Sequence, residues 1–312
     1  MNKPQSNIAG KNSHFCISQH PEHPRLQRIE LSADAVTTFL QRCAGLNVQD
    51  LEYVPFQRFT VASYLNDVLG KSFVETLRSI LHARKSGGIT LNIGQPGNDI
   101  EAYIKFSTAI THLIGIPNFD AMNGNYYARF TVKDSDDSDS YLRKAYNQMS
   151  LHTDGTYVKE RTDWLLMMKL AERNAHGGRS RLIHLDDWED LEKFSQHPLA
   201  THPLSYQSPP SKNVSQTMSR TTFFEENGNP CLCFIDQFAY PQTLAEAAYL
   251  HDLSTSMENS PATKAVTLTI GELVLLNNTF WVHGREAFEQ HKELHRELLR
   301  QRGYFADTLG SE

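Results

Sequence analysis

The sequence predicts an α+β protein, mainly β, in which a sandwich or jelly roll of short strands is covered by helices. Three observations lead there. Up to about residue 115 the apolar residues recur at helical spacing, with one strand between. From Tyr126 onward the pattern changes to short β-branched and aromatic runs divided by turn residues. No internal repeat and no clear linker divides the 312 residues, so both patterns are assigned to one core.

Residues 1 to about 25 are rich in Asn, Ser, His, Pro and Lys and are expected to form a flexible tail, with His14, His20 and His23 in solvent. Residues 26–312 are then one domain, helical in its N-terminal part, with the jelly-roll core from about residue 88. A helix starts after Ser32, because Val36, Phe39, Leu40 and Cys43 fall at i, i+3, i+4 and i+7. A second helical stretch carries Leu65, Val68, Leu69, Phe73 and Leu77, and Gly87-Gly88 end it. Ile89 to Ile93 reads as a strand. Asp99 is placed to cap a helix through Ile100, Ile104 and Ile110 that stops near Gly115 and Pro117. Tyr127 to Val132 is a strand, and Asp134 to Ser140 an acidic, solvated loop. Trp164 to Leu170 and Arg181 to Leu185 are strands with a turn at Gly177-Gly178. Asp186 and Asp187 are expected to cap a short helix through Trp188 and Leu191. Residues 197–213, rich in Pro, Ser and His, read as a long loop with the length of a lid. Thr243-Leu244-Ala245-Glu246 is a capping box that opens a helix to about Met257. Thr267 to Ile270 and the run from Gly271 to Trp281 return to strands.

Hydrophobic residues make up 39% and charged residues 21%, which is ordinary for a soluble globular chain. A net charge of −6 and a pI near 6.2 leave no basic footprint for nucleic acid. Apolar runs such as Leu273 to Leu276 are too short to span a bilayer, and no charged segment followed by an apolar one opens the chain. The expectation is a cytoplasmic protein with no membrane partner. Four cysteines make no disulfide framework and suit a reducing compartment. Cys231 and Cys233 read as small apolar residues packed in a sheet rather than a metal pair.

The chemistry is carried by His152-Thr153-Asp154 and His283. Residues i and i+2 of a strand face the same way, so His152 and Asp154 can reach one metal. His283 follows the apolar run Leu273 to Val282, read as a buried strand, and supplies a second imidazole. Two histidines and one carboxylate on one face of an octahedral ion leave three positions open, the facial triad of non-haem iron. Downstream, Arg296, Arg300 and Arg302 are separated by even numbers and would share one face of a strand. Leu298 and Leu299 make that strand apolar on both sides, which favours a central strand with buried guanidiniums. Buried guanidiniums need anionic partners, and arginine suits bidentate carboxylates. A metal beside an arginine-lined face implies a substrate that carries carboxylates. His184-Leu185-Asp186 repeats the H-x-D spacing. It is set aside because Asp186 and Asp187 stand where a helix cap is expected and His184 lies in an apolar strand.

With these pieces the chain resembles the Fe(II)/2-oxoglutarate-dependent dioxygenases, which share the H-x-D…H pattern and a C-terminal arginine. Within them it resembles the carbon-starvation-induced, or glutarate 2-hydroxylase, family. The matching segments are Phe119-Asp120-Ala121-Met122, Tyr126 to Phe130, Leu151 to Tyr157, His184 to Trp188, Pro209 to Ser215 and Arg296 to Phe305. The resemblance implies a double-stranded β-helix whose sheets bring His152, Asp154 and His283 together around Fe(II). It implies 2-oxoglutarate as cosubstrate and O2 as oxidant. Arg296, 13 residues after His283, would hold the distal carboxylate of 2-oxoglutarate, with Arg300 beside it. Arg302, with Arg300 shared, would face the substrate. No catalytic residue beyond the metal triad is expected. The implied reaction converts glutarate to L-2-hydroxyglutarate with release of succinate and CO2, in lysine degradation, by a homotetramer. The alternatives are the same chemistry on another small carboxylate or on a protein, or a non-enzymatic cupin-like metal module. An acidic chain without a peptide-docking domain favours a small molecule, and inward arginines argue against a bare metal module.

Overall fold

A computed structural model describes residues 14–94, 99–121, 123–134, 144–208 and 217–310. Two strands come first, β1 (Phe15–Gln19) and β2 (Gln27–Leu31), paired antiparallel. The flexible tail expected to residue 25 is therefore wrong from residue 14 on, and its first 13 residues lie outside the described residues. His20 and His23 are buried, not solvated. The reason is long-range. Leu26 and Ile29 bury in the core, and Arg25 forks onto Asp187 at 2.7 and 2.6 Å. A polar composition does not show what the polar groups pair with.

Helices α1 (Ala33–Arg42), α2 (Val48–Tyr53), α3 (Phe56–Leu69) and α4 (Lys71–His82) follow. Ser32 caps α1 as expected, accepting from the Ala35 amide. The helical stretch read through Leu77 is two helices, because Gly70 takes φ 82° and turns the chain. Then come β3 (Gly88–Asn92) and α5 (Ile100–Ile114), capped by Asp99. Phe39, Leu65, Phe73, Leu77, Phe106 and Ile110 of these helices form one apolar cluster with Leu91, Leu166, Leu273 and Leu299 of the strands.

The rest of the chain is mostly strand. In order it forms β4 (Gly115–Pro117), β5 (Ala128–Lys133), β6 (Met149–His152), β7 (Trp164–Arg173) and β8 (Ser180–His184). After α6 (Leu191–Ser195) come β9 (Pro203–Gln207), β10 (Thr217–Thr221), β11 (Phe223–Glu226), β12 (Asn229–Leu232) and β13 (Ala239–Tyr240). Helix α7 (Leu244–Asn259) opens with the expected capping box of Thr243 and Glu246. Last come β14 (Lys264–Val266), β15 (Glu272–Asn277), β16 (Trp281–Arg285) and β17 (His295–Phe305).

Two sheets form the jelly roll. The large one runs β1-β2-β3-β15-β7-β17-β4, with β5 also on β17, and the small one runs β14-β8-β16-β6. On β15, Leu273 and Leu275 pack against the helices. Val274 and Leu276 join Leu182 and Val282 of the small sheet. Both faces are covered, so the run reads as continuously apolar.

Several local expectations change. The strand expected from Gly271 to Trp281 is two strands. Asn277 Oδ1 accepts from the Thr279 amide and hydroxyl, and this turn carries the chain from one sheet to the other. Strand β14 lies at Lys264–Val266, ahead of the expected Thr267 to Ile270. Asp186 and Asp187 are not caps: Leu185–Asp187 is a single 3-10 turn capped by the His184 ring. The long loop at 197–213 contains β9, and residues 209–216 lie outside the described residues, as do 135–143 of the acidic loop. All four cysteines are free, with Cys231 in β12 and Cys233 just past it. Among the described residues no helix is long and apolar enough to cross a membrane.

Candidate active site

Strands β6 and β16 are neighbours, and their register sets His152 opposite His283. Next to that pair the ladder is irregular. Gly284 faces two residues of β6, and a Cβ there would sit 2.6 Å from the Met149 carbonyl oxygen. Bulges of this kind re-aim side chains at a site. The two imidazole centroids lie 4.2 Å apart. Asp154 follows β6, and its Oδ1 stands 3.7 Å from His152 Nε2 and 3.9 Å from His283 Nε2. The next residue, Gly155, takes φ 86°, and a Cβ there would lie 2.2 Å from Thr162 Oγ1. The three ligand atoms all fall within 4.8 Å of one another, and no other group of three His, Cys, Asp or Glu does so among the described residues.

The electrostatics of these groups suit a cation. His152 Nδ1 lies 2.7 Å from the Ser150 carbonyl oxygen, which can only accept. Nδ1 therefore donates, and the Nε2 lone pair is left for a metal. Burial first, then His152, pushes the His283 imidazole down to about 3, so it is neutral at physiological pH. Burial alone would raise Asp154, but Arg300 and Arg302, then the two histidines, hold it well below the carboxylate range. Its Oδ2 is buried and accepts no aligned hydrogen bond, although Arg300 Nη1 is 3.0 Å away. An ionised carboxylate with an open lone pair beside two imidazoles fits a divalent metal.

On β17 the even-numbered residues share a face, as their parity predicts. Arg296, Leu298, Arg300 and Arg302 line the same cavity of about 130 Å³ as the triad, while Leu299 packs toward the helices. Their charges are balanced differently. Arg300 reaches Asp120 Oδ2 at 2.7 Å as well as Asp154, and lies over the Phe130 ring. Burial would lower it, but Asp154 and Asp120 hold it above the usual arginine value. Arg302 Nη1 is 4.0 Å from Asp154 Oδ2. Arg296 is 4% exposed and, among the described residues, has no carboxylate at ion-pair distance. Burial, then Arg285, lowers it to about 10.

Sequence reasoning gave four residues no role. Arg285 lines the cavity and donates to the Lys144 and Asn147 carbonyls. Tyr157 forms part of the wall, edge-on to Phe238. Asp120 pairs with Arg300, and Asn278 bonds the Asp154 peptide. For Asn278 there was a signal, an amide pair interrupting an apolar run. For Asp120 the signal was its place in a segment that carries the family resemblance, but its pairing was not legible because its partner is 180 residues away.

Residues 15–305 match the CsiD family. The chain belongs to the CsiD family. It is 45% identical over 296 residues to the glutarate 2-hydroxylase of Klebsiella pneumoniae (strain 342), covering 94% of this chain and 91% of that one. It is 43% identical over 303 residues to the glutarate 2-hydroxylase of Salmonella paratyphi B (strain ATCC BAA-1250 / SPB7), covering 96% and 93%. The fold of this CsiD protein is shared by an asparagine oxygenase in complex with Fe(II), 3-hydroxyasparagine and succinate. The TM-score is 0.70 at 15% identity, over 88% of this chain and 93% of that one. It is shared also by the non-heme iron oxygenase OrfP in complex with Fe and alpha-ketoglutaric acid, with a TM-score of 0.65 at 15% identity over 88% and 93%. Within the CsiD family, then, this chain sets its His-Asp-His cluster between the two sheets of an oxygenase jelly roll.

Proposed function

We propose that this CsiD-family protein is an Fe(II)/2-oxoglutarate-dependent dioxygenase that hydroxylates glutarate to L-2-hydroxyglutarate, releasing succinate and CO2. One observation carries the reading: a buried His-Asp-His cluster shares its cavity with Arg296, a buried guanidinium with no carboxylate at ion-pair distance among the described residues and only the more distant field of Glu172. His152, Asp154 and His283 would hold Fe(II). The metal and 2-oxoglutarate, when bound, supply the O2 activation that a C–H hydroxylation needs. The protein binds, orients and excludes water. Arg296 takes the distal carboxylate of 2-oxoglutarate by charge-assisted hydrogen bonds. Glutarate and 2-oxoglutarate are both five-carbon dicarboxylates, so a second cationic locus must tell them apart. Arg302 is that locus, with Arg300 shared between the two ligands, and it fixes glutarate with C2 toward the triad. Phe130, Tyr157, Phe238 and Leu298 wall the cavity and keep it dry.

Residues 26–312 are read as one oxygenase domain, extended by β1 at its start. The enzyme is read as a cytoplasmic homotetramer acting in lysine degradation. Four free cysteines support the compartment, the named relatives support the substrate, and the tetramer rests on the family resemblance.

The test is succinate formation with Fe(II) and 2-oxoglutarate, with and without glutarate. Glutarate is expected to stimulate succinate release and yield 2-hydroxyglutarate. Four- and six-carbon dicarboxylates are expected to be poorer substrates, since a clamped carboxylate presents the wrong carbon. Stimulation that ignores chain length would leave a generic oxygenase. No succinate with any partner would favour a metal module without activity.

A further inference from the structure

Asn278 sits in the turn between β15 and β16 and is 4% exposed. Its side chain makes three hydrogen bonds. Oδ1 accepts from the Asp154 amide at 2.9 Å, and Nδ2 donates to the Asp154 carbonyl at 3.0 Å and to the Thr162 carbonyl at 2.9 Å. Its own amide donates to the Asp163 carbonyl at 2.7 Å. Only a carboxamide offers an acceptor and two donors in one plane, so no other short side chain can make this set. The partners are the two ends of the loop that carries Gly155, Thr156 and Tyr157 into the cavity wall. Asp154 also lies beyond the last residue of β6, so the ladder does not hold its peptide. Asn278, five residues before His283, ties that peptide to the turn that leads into the strand bearing the opposing imidazole.

We propose that Asn278 is a positioning residue that aims the Asp154 carboxylate at the two imidazoles by clamping the Asp154 peptide. The inference rests on the metal-centre reading above. An orienting partner of this kind sets ligand geometry without touching the metal, and its loss commonly weakens metal binding.

The test titrates metal-free protein with Co(II), whose visible absorbance reports coordination geometry, and reads affinity and spectrum. Asn278→Ala is expected to bind Co(II) roughly 10- to 100-fold more weakly than wild type, with altered absorbance bands. Asn118→Ala is the control. Asn118 Nδ2 donates to the Arg161 carbonyl at 2.8 Å and the Thr162 hydroxyl at 3.3 Å, pinning the same loop without touching Asp154. That variant is expected to keep wild-type affinity and spectrum. Equal weakening in both variants would assign the effect to loop stability and overturn the proposal, as would wild-type binding by Asn278→Ala. If the Ala variant does not fold, Asn278→Asp replaces it. It keeps an acceptor for the Asp154 amide and loses both donations, and an unchanged affinity and spectrum there would also overturn the proposal. Failure of wild type itself to bind Co(II) would remove the metal centre and this inference together. Wild-type binding matched by the Asn278 variants would remove the inference alone.

Discussion

His152 and His184 each end a strand of the same four-stranded sheet, on either side of β16, and each is followed two residues later by an aspartate. At His152 the Nδ1 partner is a carbonyl oxygen, so the Nε2 lone pair is free. At His184 the Nδ1 partner is the Asp186 amide, which donates at 3.1 Å, so the proton of the neutral ring sits on Nε2. Across the ladder His152 meets His283, whereas His184 meets Trp281. Asp154 keeps an open Oδ2 in the cavity, whereas Asp186 is held by Arg84 at 2.6 Å at the protein surface. Equal spacing thus yields an imidazole and a carboxylate facing one cavity in one place and a packing residue in the other. The tautomer and the cross-strand neighbour decide.

Exchanging the roles of the two motifs is the strongest way to break this comparison. Asp154→Ala is expected to abolish glutarate-dependent succinate formation and to weaken Fe(II) binding severely, as are His152→Ala and His283→Ala. Asp186→Ala is expected to keep both. Activity retained by Asp154→Ala and lost by Asp186→Ala would invert the assignment.

The arginines sharpen it next. Arg25 and Arg84 beside the second motif are spent on Asp187 and Asp186, whereas Arg296 beside the first makes no ion pair with a described carboxylate and feels Glu172 only at longer range. Arg296→Ala is expected to cost roughly 2–5 kcal/mol of cosubstrate binding, the usual loss for half of a buried charge pair. Anaerobic titration of the 2-oxoglutarate–Fe(II) charge-transfer band measures it. An unchanged titration would pass the role to Arg300.

A smaller and more selective effect is expected from Arg302→Met. Glutarate hydroxylation should fall while the charge-transfer band forms normally. If glutarate turns over at the wild-type rate, Arg302 does not hold the substrate.

The least effect on function is expected at His184. Burial, followed by Arg25, lowers its pKa from 6.5 to about 4, with Asp186, Arg84 and Asp187 also in range. Between those values the unfolded chain binds a proton that the folded chain does not. Stability should therefore fall as pH drops from 6.5 toward 4 and level off below. His23, on the same Trp281 ring and likewise lowered to about 4, adds to that slope. His184→Asn is expected to flatten the slope, by on the order of 3 kcal/mol across the window, and to leave Co(II) binding unchanged. Urea unfolding at stepped pH measures the first, and an unaltered slope would show that His184 already carries its proton in the fold.

What the sequence determined by itself was local. The alternation of β17 placed Arg296, Arg300 and Arg302 on one face, because a period of two needs no information beyond the strand. The caps at Ser32, Asp99 and Thr243 were legible for the same reason, since each cap and its partner lie within three residues. What only the tertiary structure decided depends on distant partners. Polar residues 15–25 became a strand and buried histidines because β2 pairs with the strand and Asp187 receives Arg25. The apolar run into His283 broke at Asn277–Phe280 because two sheets had to be joined there. Asp120 reached Arg300, and Asn278 reached Asp154, across 180 and 124 residues. The sequence set the second H-x-D motif aside in part on a cap at Asp186 and Asp187 that the fold does not contain, so the physical ground of that choice is of this second kind. Spacing can bring an imidazole and a carboxylate to one face, but only the assembled sheet sets which atom each ring presents and what stands opposite.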